Sequence, residues 1–254
     1  MRCALEGDIW TITLNRPDRG NAIDVETAAG LADAVRERPG SSRAVLLSGA
    51  GPRFCVGGDV SAFADAEDPG AFVGALAAAW HIAVRELLAC PVPVVLAVHG
   101  AVAGAAVGLL GACDIAVCGR PTTIRPAYAS LGLSPDGGTS WLLSRTLGEQ
   151  RAIALMLTNG SLDADQALAA GLVATVVDGP ILAETASRLA QQLADGPVRA
   201  FVRTRQLVRL ASGRTLEEHL DDEGRLIAES ANDVEGREGV RAFAERRQPT
   251  FRDV

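Results

Sequence analysis

Between Ile9 and Leu14 apolar and polar positions alternate, Ile9, Thr11 and Thr13 on one side, Trp10, Ile12 and Leu14 on the other. That period of two predicts a strand, and Gly7-Asp8 before it predicts a hairpin over residues 2–15. A turn-rich loop follows, Arg16-Pro17-Asp18-Arg19-Gly20-Asn21. Asp24 fits a helix N-cap, and residues 25–38 fit a helix ended by Pro39-Gly40. Residues 43–48 read as a Val- and Leu-rich strand, and residues 49–59, GAGPRFCVGGD, as a loop. A helix over residues 71–89 carries an expected apolar stripe of Phe72, Leu76, Ile82 and Leu87.

The longest apolar stretch comes next. Residues 93–114, PVVLAVHGAVAGAAVGLLGACD, are almost all apolar, with Gly100, Gly104, Gly108 and Gly111 set among Ala and Val. Such a segment is buried on all sides, either as a membrane span of about 20 residues with small-xxx-small packing, or as a buried strand, a tight glycine turn and a buried helix. Pro91 and Pro93 favour a strand entry, and neither flank carries a cluster of basic residues, which favours the second reading. There Gly104 and Ala105 open the helix, and its first amides lack helical acceptors. These amides make half of an oxyanion hole, or else the small residues only permit close packing; the stretch alone does not separate the two.

Further on, residues 114–117 predict a strand, and Pro135-Asp136-Gly137-Gly138 a sharp turn before a helix capped by Thr139 or Ser140. Asp163 and Gln166 have capping-box spacing for a short helix over 163–170. A strand at 172–177 and a helix at 180–193 complete the alternation, and everything after Pro197 reads as helical. The class is therefore α/β with a helical appendage. Residues 1–195 are expected to form the core and 196–254 a C-terminal helical region.

Composition narrows the function. With 254 residues, 48% hydrophobic and 22% charged, the chain can bury a sizeable core. A net charge of −7 argues against nucleic acid or an acidic membrane as main partner. Five cysteines at odd spacings suggest reduced thiols, and the first ten residues lack a long apolar signal segment, so the expected location is cytoplasmic. Cys113 and Cys118 have no His or second Cys pair nearby, so no metal site is expected.

Six segments in order carry a resemblance: LNRPDRGNAID, GPRFCVGGDV, AVHGAVAGAAVG, CDIAV, LGLSPDGGTSWLLSRTLG and DADQALAAGLVATVV. Together with the ending EGVRAFAERRQPTF they resemble the crotonase superfamily, the enoyl-CoA hydratase/isomerase family, from about Leu14 onward. The resemblance implies a spiral of ββα turns, an acyl-CoA thioester as ligand, and a homotrimer or dimer of trimers formed through the C-terminal helices. It implies no metal or redox cofactor, coenzyme A being part of the substrate. It also favours the oxyanion hole, with backbone N–H groups on Gly58 and Ala105. Gly58, Asp59, Val60 and Ser61 fall where the family contacts CoA, and Arg16 and Arg19 lie in the loop that folds over the nucleotide.

The departures from the family pattern shape the expected chemistry. The two glutamates of family hydratases fall on Gly108 and Tyr128, so neither carboxylate is present. Asp136 stands where isomerase-type members carry an acidic residue before paired glycines, in an apolar surround expected from Leu133 and Trp141. Taken alone, Pro-Asp-Gly-Gly is an ordinary turn. Within the family pattern Asp136 becomes the catalytic base. The activity this implies is an enoyl-CoA isomerase; the alternatives are a hydratase or other crotonase-type enzyme, and a non-catalytic acyl-CoA-binding member. His81, His99 and His219 have no Ser or Cys in a triad-like motif and read as structural, and the acidic run Glu217 to Glu223 as a solvated helix face.

Overall fold

In this computed structural model, which describes residues 1–252, Arg2–Glu6 (β1) and Ile9–Leu14 (β2) form the predicted antiparallel hairpin, with Gly7 at φ 61° in its turn. Helix α1 (Val25–Arg36) starts where Asp24 accepts the Thr27 amide at 2.8 Å. Strand β3 (Ala44–Gly49), a short helix α2 (Val60–Ala64) and the long helix α3 (Pro69–Ala89) follow. Next come β4 (Val94–Ala103), a 3₁₀ turn at Gly104–Gly108, α4 (Leu109–Ala112) and β5 (Ile115–Arg125). The remainder is α5 (Thr139–Leu147), α6 (Glu149–Leu157), β6 (Leu162–Asp163), α7 (Ala164–Ala169), β7 (Thr175–Asp178), α8 (Leu182–Asp195), α9 (Val198–Leu210), α10 (Leu216–Asn232) and α11 (Val234–Ala244).

The seven strands make one sheet in the order β1-β2-β3-β4-β5-β6, with β7 also paired to β5. Pairing from β2 through β5 is parallel, which requires a covering layer on each face. The all-apolar run of β4 follows from that. Val94, Leu96 and Val98 enter the larger core beneath α1 and α3, while Val95 and Ala97 enter a second core under α8. Helix α8 supplies Leu182, Ala186, Ala190 and Ala194, one every turn, against β3, β4 and β5.

Residues 93–114 thus form strand, turn and helix rather than a membrane span. The strand is longer than expected: β4 continues past Val98 to Ala103 through a register shift against β5. Gly100 makes this possible, since its φ is 63° and a Cβ there would lie 2.1 Å from the Pro52 carbonyl. Strand β5 likewise runs on to Arg125, well beyond 117. In α3, long and apolar enough by composition to cross a bilayer, the buried face is Leu76, Trp80, Ala83 and Leu87. Ile82 is 40% exposed, because it lies off the line set by the spacing from Leu76 to Trp80. The capping box at Asp163 and Gln166 is present, whereas α5 has no side-chain cap: Gly138, at φ 80°, precedes it, and Thr139 is its first residue. Helices α2 and α6 had no clear pattern in the sequence.

The C-terminal helices are tied to the core by charge. Asp114 accepts from Arg205 at 2.8 Å, Arg209 at 3.0 Å and the Val94 amide at 2.8 Å. The same guanidinium groups cap carbonyls at the end of α3 and α4, among them Leu88, Cys90 and Ala112. Farther along, Glu238 is held far below the usual carboxylate range by Arg247, the Thr250 amide and Arg241, which fixes the tail against α11. Asp114→Ala would leave two largely buried cations unpaired. Denaturant unfolding is expected to show a loss of about 3 kcal/mol; a loss under about 1 kcal/mol, the range of surface pairs, would mean that packing alone holds α9.

Candidate active site

Two loops are zipped together to make one wall of a cavity. The Phe54 amide donates to His99, that of Cys55 to Ala101, and that of Ala103 to Cys55, so residues 54–56 extend the sheet beside the end of β4. Gly57 then touches Gly104: a Cβ on Gly57 would lie 2.9 Å from the Ala103 carbonyl. This contact sets Gly58 and Ala105 on the same cavity wall. The Ile23 amide donates to Gly57 and the Asp59 amide to Ile23, and the Gly58 N–H between them has no acceptor among the described residues. Ala105, second in its 3₁₀ turn, is too near the start for its N–H to find an acceptor within the turn.

Pro135 and Asp136 of the turn 135–138 line the same cavity, and the turn packs against the one that bears Ala105. The Gly137 N–H donates to His81 Nε2 at 3.1 Å, which leaves the ring proton of a neutral His81 on Nδ1. Gly137 is wedged between Trp80 and the Ala105 carbonyl, 2.8 and 3.0 Å from where its Cβ would be. Its own carbonyl lies 1.9 Å from where a Cβ on Gly108 would be. No side chain fits at position 108 unless this turn moves. Asp136 lines the cavity; its Oδ1 accepts from the Tyr128 hydroxyl at 2.7 Å, and the Thr139 hydroxyl lies 3.3 Å from the phenol oxygen.

The cavity measures about 250 Å³ and is mostly apolar, with Ile23, Phe63, Leu76, Trp80, Leu131 and Leu133 prominent in its lining. The structure therefore brings together Gly58, Val60, Ala105, Tyr128 and Asp136. It does not bring Arg16, Arg19, Asp59 or Ser61 into the cavity. Arg16 pairs with Asp24 at 2.7 Å and Asp59 at 3.3 Å, and Ser61 donates to Asp59 at 2.6 Å. The Ser61 hydrogen bond, then Arg16, hold the Asp59 carboxyl below its ordinary value against the effect of burial. These residues build the loop that carries Gly58. Arg19 is exposed and has no ion-pair partner among the described residues. Trp141, expected near Asp136, is 53% exposed under the Arg145 guanidinium and is not part of the cavity lining.

Sequence reasoning missed Trp80 as the cavity floor, although its spacing from Leu76 puts both on one helix face. It also missed Asn21, which is 1% exposed and whose Nδ2 shares its two protons among the Ala50, Arg53 and Phe54 carbonyls, joining the first loop to the second. No periodic pattern marks such a residue. Of the histidines, His99 bonds the Gly51 carbonyl at 2.8 Å, a loop-stabilising role, and His219 lies beside Glu223 on α10.

This fold and cavity are those of a crotonase-type protein. The family model for enoyl-CoA hydratase/isomerase matches residues 5–254. The 1,2-epoxyphenylacetyl-CoA isomerase of Escherichia coli strain K12 is 38% identical, over 97% of this chain and 96% of its own. The trans-2-decenoyl-(acyl-carrier-protein) isomerase of Streptococcus mutans is 31% identical, over 97% and 95%. The crystal structure of an enoyl-CoA hydratase from Polaromonas sp. JS666 superposes with a TM-score of 0.93 at 30% identity, covering 98% of both chains. The chain belongs to the enoyl-CoA hydratase/isomerase family. Its relatives include both isomerases and hydratases.

Gly108→Ala tests the backbone contact. The added methyl meets the Gly137 carbonyl, so the turn must shift, and thermal unfolding should show a loss of about 1–3 kcal/mol, together with displaced His81 and Tyr128 signals. Unchanged stability and spectra would mean that the two loops are not in contact.

Proposed function

We propose that the protein is an enoyl-CoA isomerase that moves a double bond along an acyl-CoA thioester. The observation that carries this reading is the Gly137 carbonyl occupying the side-chain space of Gly108. Hydration needs a water deprotonated beside C3 and a proton delivered to C2. Family hydratases are expected to divide that work between two carboxylates, and neither position has one here. Tyr128 does not replace the second: burial, and next the charge of Asp136, push its phenol pKa up, so it is no base at neutral pH.

A single carboxylate suffices for isomerisation. The thioester acidifies the neighbouring C–H because the resulting charge moves to the carbonyl oxygen. In this reading the Gly58 and Ala105 N–H groups hold that oxygen in an apolar site. Asp136 removes a proton from C2 of a 3-enoyl-CoA and returns the same proton at C4, leaving the 2-enoyl isomer. Coenzyme A enters as part of the substrate and no further cofactor takes part. The stretch Gly58 to Ser61 and the exposed Arg19 are the proposed contacts for its pantetheine arm and phosphates, with Arg16 bracing that loop. The chain has no lysine among its 24 basic residues, so a permanent positive charge beside a phosphate comes from a guanidinium. The proposed setting is the cytoplasm.

Assembly into a trimer or a pair of trimers is part of the proposal. On the C-terminal helices Leu216, Ile227 and Phe243 are 73, 71 and 86% exposed in the isolated chain. Such a row of large apolar side chains is typical of a covered surface. Light scattering at micromolar concentration should give three or six chains; a monomer would refute it.

Asp136→Asn removes the base with little change in shape. It should keep acyl-CoA binding while isomerisation falls by about 10²–10⁴-fold. The wild-type protein should isomerise a 3-enoyl-CoA more than about tenfold faster than it hydrates a 2-enoyl-CoA of equal length, ~1.4 kcal/mol in barrier. Because the Escherichia coli relative is named for a phenylacetyl-CoA epoxide, aromatic acyl groups belong in the panel. Hydration as fast as isomerisation, and persisting in Asp136→Asn, would overturn the reading.

A further inference from the structure

We infer that Tyr128 is a positioning residue for the isomerisation: its hydroxyl holds Asp136 Oδ1 and leaves Oδ2 as the oxygen that carries the proton. The inference rests on the reading of Asp136 as the base, and goes beyond it by giving a role to the residue found where a hydratase carboxylate would stand.

The geometry assigns each hydrogen bond. The phenol has one proton and three oxygens within reach, Asp136 Oδ1 at 2.7 Å, the Asp136 carbonyl at 3.1 Å and the Thr139 hydroxyl at 3.3 Å. The shorter bond, to the charged oxygen, takes the proton. Asp136 Oδ2 has no hydrogen-bond partner among the described residues, and Asp136 lines the cavity. The backbone of the same residue is fixed from the other side, since the Thr139 amide donates to its carbonyl at 3.0 Å. The Thr139 hydroxyl also lies 3.4 Å from the Gly104 carbonyl, one residue before Ala105. With the phenol proton committed to Asp136, the single Thr139 hydroxyl proton goes either to the phenol oxygen or to that carbonyl. Its raised pKa keeps Tyr128 a donor throughout the working range.

The titratable groups facing Asp136 are few. Tyr128 comes from the loop before it and His81 from α3; the 3₁₀ turn Gly104–Gly108 contributes none, and Arg145 of α5 is turned onto the Trp141 ring. Without the phenol hydroxyl, Asp136 Oδ1 loses its side-chain donor and the carboxylate is free to turn.

Tyr128 is the only tyrosine in the chain, so biosynthetic labelling with 3-fluorotyrosine marks this position alone. Three proteins are compared: wild type, Tyr128→Phe and Asp136→Asn. Tyr128→Phe should lower kcat about tenfold or more, the effect of one hydrogen bond to a charged group, with KM within about twofold. The fluorine resonance of the labelled wild type should be displaced in labelled Asp136→Asn, which loses the charged acceptor of the phenol proton; an unmoved resonance would mean that the phenol does not hold the carboxylate. The labelled enzyme needs no substitution at 128, so it decides the matter even if Tyr128→Phe folds poorly. Loss of activity in Asp136→Asn, with Tyr128→Phe unchanged in kcat, would overturn the positioning role and leave the base in place. Full turnover by Asp136→Asn would overturn both.

Discussion

The approach of two backbones, at Gly108 and Gly137, is the constraint on which the site depends. A carbonyl sits where any other residue at 108 would place its Cβ. Glycine at 108 is therefore a steric requirement of this turn rather than a lost catalytic group. The turn in its turn needs φ of 61° at Gly137 and 80° at Gly138, open to glycine at little strain. Held by His81 and floored by Trp80, it carries Asp136 toward the two proposed donor amides.

The rest of the chain supplies rigidity to this arrangement. The amides of Gly58 and Ala105 belong to different loops, and neither loop alone fixes its own direction. Three backbone hydrogen bonds between residues 54–55 and β4 join them, and Asn21 ties in the loop before. Beneath them β4 is clamped by cores on both faces, and its first residue is tied to Asp114 and thereby to α9. A carboxylate in the Cys-Asp segment thus serves packing, far from the chemistry. Its two arginine partners occupy the groove beside α9, a cavity separate from that of Asp136.

The sequence carried the order of elements well, because period-two strands and capped helices leave local marks: the hairpin at Gly7, the cap at Asp24, the box at Asp163. It was silent wherever a long-range contact decided the outcome. The continuation of β4 past Gly100 depends on a strand partner in β5 and on the Pro52 carbonyl, not on local propensity. Asp136 and the glycines around it were legible through the family pattern, whereas the bond from Tyr128 was not, since donor and acceptor stand eight positions apart with no regular period between them. Arg16 shows the same silence: its guanidinium is engaged within the fold by Asp24 and Asp59, pairings that no local pattern marks.

An acyl-CoA site with one carboxylate gains something from the second that is missing. Two charges in an apolar cavity of this size would repel, and one would be driven to protonate. With Gly108 and Tyr128 in place of acids, the negative charge of Asp136 stands alone beside a neutral donor. In the proposed isomerisation a lone base that both takes and returns the proton also has to keep it away from water between the two events. The cavity lining suits that end: Phe63, Leu76 and Leu133 carry no polar side-chain atom, and the Trp80 N–H lies 3.4 Å from the Ala105 carbonyl. Apolar walls, one carboxylate and paired amides together suit a proton that never leaves the site, and they suit poorly a reaction in which water must enter and be held.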